Sequence, residues 1–136
     1  MTGASPVDEL RIALTVDDFD QAMRFYRDIL GLRVDKEWHT STGNGVVFSV
    51  ERGTLEVVDV PDAESIDIAE VGSVVGERVR LAMRVRGVDE VQRAVTSGGA
   101  TLLGGPVLTP WGGHNARVRT PDGIQLTLFE ESDGED

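Results

Sequence analysis

The chain has 136 residues, 40% hydrophobic and 27% charged, which fits one ordinary domain. It has no cysteine and only two histidines, His39 and His114, so disulfides, thiolate metal sites and cysteine nucleophiles are excluded. A net charge of -11 would repel phosphate and argues against a general nucleic-acid binder.

Residues 1–9 read as a loose arm. Alternation then predicts a strand over residues 11–16, with Ile12, Leu14 and Val16 on one face and Arg11, Ala13 and Thr15 on the other. A helix begins at Asp17 or Asp18, and Gln21 stands at capping-box spacing from Asp18. Ala22, Phe25, Tyr26, Ile29 and Leu30 recur at helical spacing as one apolar stripe. Gly31 stops that helix. Residues 32–39 read as a strand, STGNG as a turn, and residues 46–50 and 54–60 as two further strands around Arg52-Gly53.

The segment over 61–78 reads as a linker; one short helix covering an edge or a pocket mouth is the alternative, and the plain linker is preferred. A strand over 79–85 follows. Val88, Val91, Ala94 and Val95 then line a shorter helix that ends at Gly98-Gly99. An interrupted strand over 100–103 and 106–108, a strand over 114–119, a β-turn at TPDG and a strand over 124–129 complete the series. Residues 131–136 form an acidic tail.

This order of elements occurs twice. RIALTVDDFDQAMR aligns without gaps on RLAMRVRGVDEVQR, 69 residues later, with Arg11, Ala13, Val16, Asp20 and Arg24 matching Arg80, Ala82, Val85, Asp89 and Arg93. The expected fold is α+β: two paired βαβββ modules, over 10–60 and 79–130, forming a curved mixed sheet with a cup-shaped inner face. Ile12, Leu14, Val16, Leu81, Met83, Val85, Leu126 and Leu128 face the helices. Arg11, Ala13, Thr15, Arg80, Ala82, Arg84, Gln125 and Thr127 face the cup, which is too polar for a core and suits a ligand.

The N-terminus shows no basic segment followed by an apolar run, and no apolar stretch could span a bilayer. A cytoplasmic protein without membrane or nucleic-acid partners is therefore expected.

The runs FYRDILGL and TPDG, within RIALTVDDFDQAMRFYRDILGLRV and TPWGGHNARVRTPDGIQLTLFE, resemble the vicinal oxygen chelate superfamily. That superfamily groups glyoxalase I, bleomycin-resistance proteins, extradiol dioxygenases and epimerases. The likeness covers nearly the whole chain and implies the fold more than the reaction. It implies metal ligands at four inner-face positions, which here hold Arg11, Glu56, Arg80 and Thr127. Only Glu56 is a plausible ligand, because a guanidinium is always protonated and has no lone pair to donate. No metal and no cofactor is expected.

Arg11, Arg80 and Arg84 read as donors for an oxygen-rich ligand; the alternative left open is that Arg11 or Arg80 simply pairs with Glu56 or Asp59. Trp38 reads as packing. Trp111, in the loop PWGG, reads as part of a pocket. Glu56 and His114 are candidates for proton transfer, and His114, Gln125 and Thr127 join the expected ligand contacts. The expected function is binding of a small organic molecule without a metal, closest in character to bleomycin-resistance proteins and as a homodimer. The alternative is a glyoxalase-type lyase, isomerase or dioxygenase, using a non-standard metal set or metal-free proton transfer.

Overall fold

The structure, a computed structural model, describes residues 5–131. Strand β1 spans Val7–Val16, and helix α1 spans Phe19–Met23 and continues as a wider π-helical turn over Arg24–Ile29. Strands β2 (Arg33–Thr40), β3 (Gly43–Val50) and β4 (Gly53–Asp59) complete the first module. Helix α2 (Val60–Val71) joins it to the second, which contains β5 (Val79–Val85), α3 (Val88–Ser97), β6 (Thr101–Leu108), β7 (Gly113–Arg119) and β8 (Gln125–Glu131). No helix among the described residues is long and apolar enough to cross a membrane.

The eight strands form one open mixed sheet in the order β2-β3-β4-β1-β5-β8-β7-β6. Within the modules β1 runs parallel to β4, and β5 runs parallel to β8. The modules meet along an antiparallel seam between β1 and β5, where Ile12 faces Leu81 and Leu14 faces Val79. The two βαβββ units expected from the repeat are present.

Helices α1 and α3 cover the same face of the sheet. Phe19, Ala22 and Met23 of α1 pack on Val46, Phe48 and Val57. Val88 and Val91 of α3 pack on Val85, Ala116, Val118, Leu126 and Leu128. Each such valine, leucine, methionine or phenylalanine contributes about 1.5–3 kcal/mol when fully buried. The start of α1 follows the capping expectation, since Asp18 Oδ1 accepts from the Gln21 amide at 3.0 Å. The start of α3 has a cap from a distance: Glu130 on β8 accepts from the Gly87 and Val88 amides at 3.0 and 3.1 Å. These two donors hold its carboxyl below the usual range.

Four expectations need correction. The expected stripe on α1 does not form a buried face: Phe25, Ile29 and Leu30 are all exposed, Phe25 by 47%. The wider turn is the reason, because Leu30 bonds back to Phe25 rather than to Tyr26, and the chain leaves its regular phase there. Tyr26 alone of the later residues reaches inward, towards Phe48. Strand pairing with β5 extends back to Val7, so the arm is shorter than residues 1–9, and residues 1–4 lie outside the described part. Glu131 belongs to β8, and the rest of the expected acidic tail, 132–136, lies outside the described residues. Finally, the segment over 61–78 is not a plain linker. Most of it is α2, and α2 packs on the opposite, concave face of the sheet, touching β3 and β4 on one side and β6 and β7 on the other.

Candidate functional site

The concave face is built from cross-strand rows. Lys36, Val47, Glu56, Ala13 and Arg80 stand side by side on β2, β3, β4, β1 and β5. One step along, Thr54, Arg11, Ala82, Thr127 and Arg117 form the next row. The two alanines on the central strands leave the floor low, and longer side chains rise on both flanks.

Helix α2 bridges this cup as a strap. It starts where Asp59 Oδ1 accepts from the Asp62 amide at 3.1 Å, with Pro61 in the first turn. Asp59 also takes the Asn44 amide and side chain, at 3.1 and 2.9 Å, which ties the strap to β3. The Trp38 indole donates to Asp62 Oδ2 at 3.1 Å. Its ring lies flat across Gly45, where any Cβ would collide with it. At the far end Gly104 of β6 admits the last turn of α2, since a side chain there would strike the Glu70 carbonyl and the Val71 backbone.

That end closes on Arg117, which is 0% exposed. Its Nη1 donates to Asp67 Oδ1 at 3.0 Å and to Gln125 Oε1 at 2.7 Å. Its Nε donates to Glu70 Oε1 at 2.9 Å and to Thr127 Oγ1 at 3.1 Å. Its Nη2 makes a close ion pair with Glu70 Oε1, at 2.8 Å, but at an angle that forms no hydrogen bond. Asn115 Nδ2 donates to the other Glu70 oxygen, Oε2, at 2.8 Å. Breaking a buried pair of this kind costs about 3–5 kcal/mol, because a carboxylate is left without its cation.

Beside the strap lies a cavity of about 390 Å³. Its walls carry Trp38, Trp111 and Phe129, and its polar groups include Arg11, Lys36, Glu56, Asp62, Arg80 and Asn115. Arg11 is already engaged: Glu9 holds it at 2.9 Å, and it stacks 4.9 Å above the Phe129 ring. Lys36 pairs with Glu131 at 3.2 Å. Arg80 donates to Thr127 Oγ1 at 3.1 Å. The Glu56 carboxylate, only 8% exposed, accepts no hydrogen bond and has no ion-pair partner among the described residues. Burial pushes the Asp62 carboxyl up to about 6; the Trp38 indole opposes the rise, Glu56 and Asp59 add to it, and Arg80 offsets part of it.

Of the expected site residues, Arg11, Glu56, Arg80, Trp111 and Thr127 meet at this cavity. Three do not. Arg84 sits at the sheet end, bound to Asp8 at 2.8 Å. His114 turns towards α3, 3.7 Å from Asp89. Gln125 is buried against Arg117 beneath the strap. Trp38, expected to pack, both packs and lines the cavity. Arg11 pairs with Glu9 rather than Glu56, and Asp59 is taken up in capping α2.

Sequence reasoning missed Lys36, Asp62, Glu70, Asn115, Arg117 and Phe129. Lys36 alternates with Trp38, Phe129 with Thr127, and Arg117 with Asn115, so period-two spacing was a signal for the strand residues. Asp62, Ile66 and Glu70 stand at helical spacing, which was the signal for the strap.

The four positions at which the family resemblance implies metal ligands do not fit a divalent cation. Two are guanidiniums with no lone pair to donate. Thr127 Oγ1 is occupied by Glu70 Oε1 at 3.0 Å and by Arg117 and Arg80. Glu56 alone would not hold a transition metal against water.

The sequence profile of the Glyoxalase/Bleomycin resistance protein/Dioxygenase superfamily matches residues 10–128. No curated protein matches the chain. Several solved structures share its fold. A member of that superfamily from Vibrio splendidus is 14% identical, covers 90% of this chain and 98% of its own, and has a TM-score of 0.59. Methylmalonyl-CoA epimerase from Mycobacterium tuberculosis is 20% identical over 97% and 93% of the two chains, with a TM-score of 0.68. A variant of Streptomyces coelicolor methylmalonyl-CoA epimerase, in complex with 2-nitronate-propionyl-CoA, is 17% identical over 98% and 99%, with a TM-score of 0.67. At these identities the likeness carries the fold and nothing finer.

Proposed function

Because the chain belongs to the glyoxalase/bleomycin resistance protein/dioxygenase superfamily, we propose that it binds a small organic molecule in the cavity beside α2 and does so without a metal. Sequestration of an aromatic compound, in the manner of the antibiotic-binding members, is the activity proposed. The observation that carries this is the cavity itself: about 390 Å³, walled by both tryptophans and Phe129, with guanidiniums at two of the four positions implied for metal ligands. That volume is within the usual range for organic ligands.

The working unit is proposed to be a homodimer. Leu10 and Ile12 on β1 and Val79 on β5 are 51%, 43% and 55% exposed on the helix-bearing face, in the gap between α1 and α3. A second copy would cover this apolar strip.

One observation favours a second reading, metal-free proton transfer. Glu56 has no partner among the described residues, and Asp62 nearby keeps its proton up to about pH 6. A carboxyl that keeps its proton to about pH 6 beside a second, unpaired carboxyl group suits proton transfer to and from a ligand. Incorporation of deuterium by a bound ligand recovered from heavy water would mark turnover; unchanged ligand would mark simple binding.

The cavity reading is tested with N-phenyl-1-naphthylamine, a neutral aromatic probe. Both tryptophans of the chain line the cavity, so energy transfer to a probe seated there must saturate. Ser65→Phe, which fills the cavity from α2, should abolish the signal while leaving the melting temperature unchanged. A signal that fails to saturate, or one indifferent to Ser65→Phe, refutes the reading.

A further inference from the structure

Four carboxyl groups converge on the concave face around α2: Glu56 from β4, and Asp62, Asp67 and Glu70 from the strap itself. Among the described residues, only two cations answer them. Arg117 is consumed by Asp67 and Glu70, and Arg80 is the guanidinium that remains for Glu56 and Asp62. The other two cations of the wall, Arg11 and Lys36, pair with Glu9 and Glu131, which Arg84 also approaches, at 3.5 and 3.6 Å. The cluster is therefore short of positive charge.

An unmet hydrogen-bonding group points the same way. Glu56 is only 8% exposed, lines the cavity and accepts nothing among the described residues, and its oxygens stay open to whatever fills the cavity. A carboxyl group so far buried normally has a partner, so this one describes a missing donor.

We infer that the ligand of this cavity is a flat monocation with nitrogen donors, of the amidinium or protonated amino-heteroaromatic class, whose N–H groups meet Glu56 between the aromatic walls. This rests on the cavity being a small-molecule site and adds the chemistry of what enters it. Such a ligand brings Glu56, Asp62 and Arg80 to neutrality. Its ring stacks on the tryptophans, and its charge is held over their faces. Asp62 adds a pH dependence. The charged and titratable groups around it are Glu56 and Asp59 on β4, Arg80 on β5 and Glu70 on its own helix, with Trp38 of β2 donating to it. With Asp62 protonated, Glu56 and Arg80 balance each other and the deficit of the cluster is halved, so a cation should bind more weakly in acid.

The test uses three near-isosteres, benzamidine, benzamide and benzoate, competing against N-phenyl-1-naphthylamine. Benzamidine should displace the probe, benzamide more weakly, and benzoate not at all. Benzamidine affinity should rise as pH climbs through about 6, and Asp62→Asn, which keeps an acceptor for Trp38, should flatten that rise. Glu56→Gln should weaken benzamidine about tenfold or more, as the loss of a charged hydrogen bond would. Displacement by benzoate or benzamide in preference, or no displacement by benzamidine, overturns the ligand class while leaving the cavity reading intact. Failure of the naphthylamine itself to bind overturns both.

Discussion

Arg117 shows how a single side chain can organise a site it never reaches. It lies wholly buried between the floor of the cup and the strap, and binds two carboxylates, an amide oxygen and a hydroxyl. Asp62, at the other end of the strap, has the opposite character, because its charge is unwelcome where it lies. The folded protein holds the Asp62 proton more tightly than the unfolded chain does, so this group makes stability fall as pH rises from the ordinary 3.8 to about 6. Asp62→Asn should remove that loss. Its melting temperature should exceed that of the parent protein above pH 6, and the difference should shrink in acid. A difference independent of pH would refute the assignment. Glu130 contributes with the other sign, since its lowered carboxyl stabilises α3 until acid protonates it.

At the scale of elements, α2 depends on close approach. Gly104→Ala would drive a methyl group into the Glu70 carbonyl and the Val71 backbone, neither of which can rotate away. The expected cost is about 1–3 kcal/mol, as for overpacking elsewhere, read from urea unfolding. The same element marks where the sequence was legible and where it was not. Strands announce themselves by alternation, and α1 and α3 by a cap or an apolar stripe, so the duplicated modules were readable from residues such as Ile12, Leu14, Val88 and Val91. The α2 segment was not, because its buried face is mostly acidic: Asp62, Asp67 and Glu70 beside Ile66. Such a face is buried by pairing with a distant arginine, and hydrophobic periodicity carries no trace of that. The π-helical turn of α1 was hidden for a related reason. A change of helical phase after Met23 leaves Phe25 half-exposed, although its spacing fits a regular stripe. The cavity was legible in half: the floor residues followed from the repeat, but the strap that closes over them came from the segment read as a linker.

For the whole molecule, the exposed strip along Leu10, Ile12 and Val79 sets the expected association. Ile12→Glu would place a charge at its centre and should convert a dimer to a monomer in sedimentation equilibrium, with probe binding retained. A parent protein that is monomeric at micromolar concentration would refute the homodimer. The strap also bears on how such a dimer can be made. The seam between β1 and β5 joins two similar halves, and similar halves invite exchange between copies. The covalent route between them runs through α2, which is clasped to β3 by Asp59 and to β7 by Arg117. A half cannot leave its own partner for a neighbour's until that clasp opens, which exposes a buried arginine and three acids. The helix thus acts as a leash whose length is set by chemistry: it keeps the local concentration of one half around the other high and gives exchange the barrier of partial unfolding.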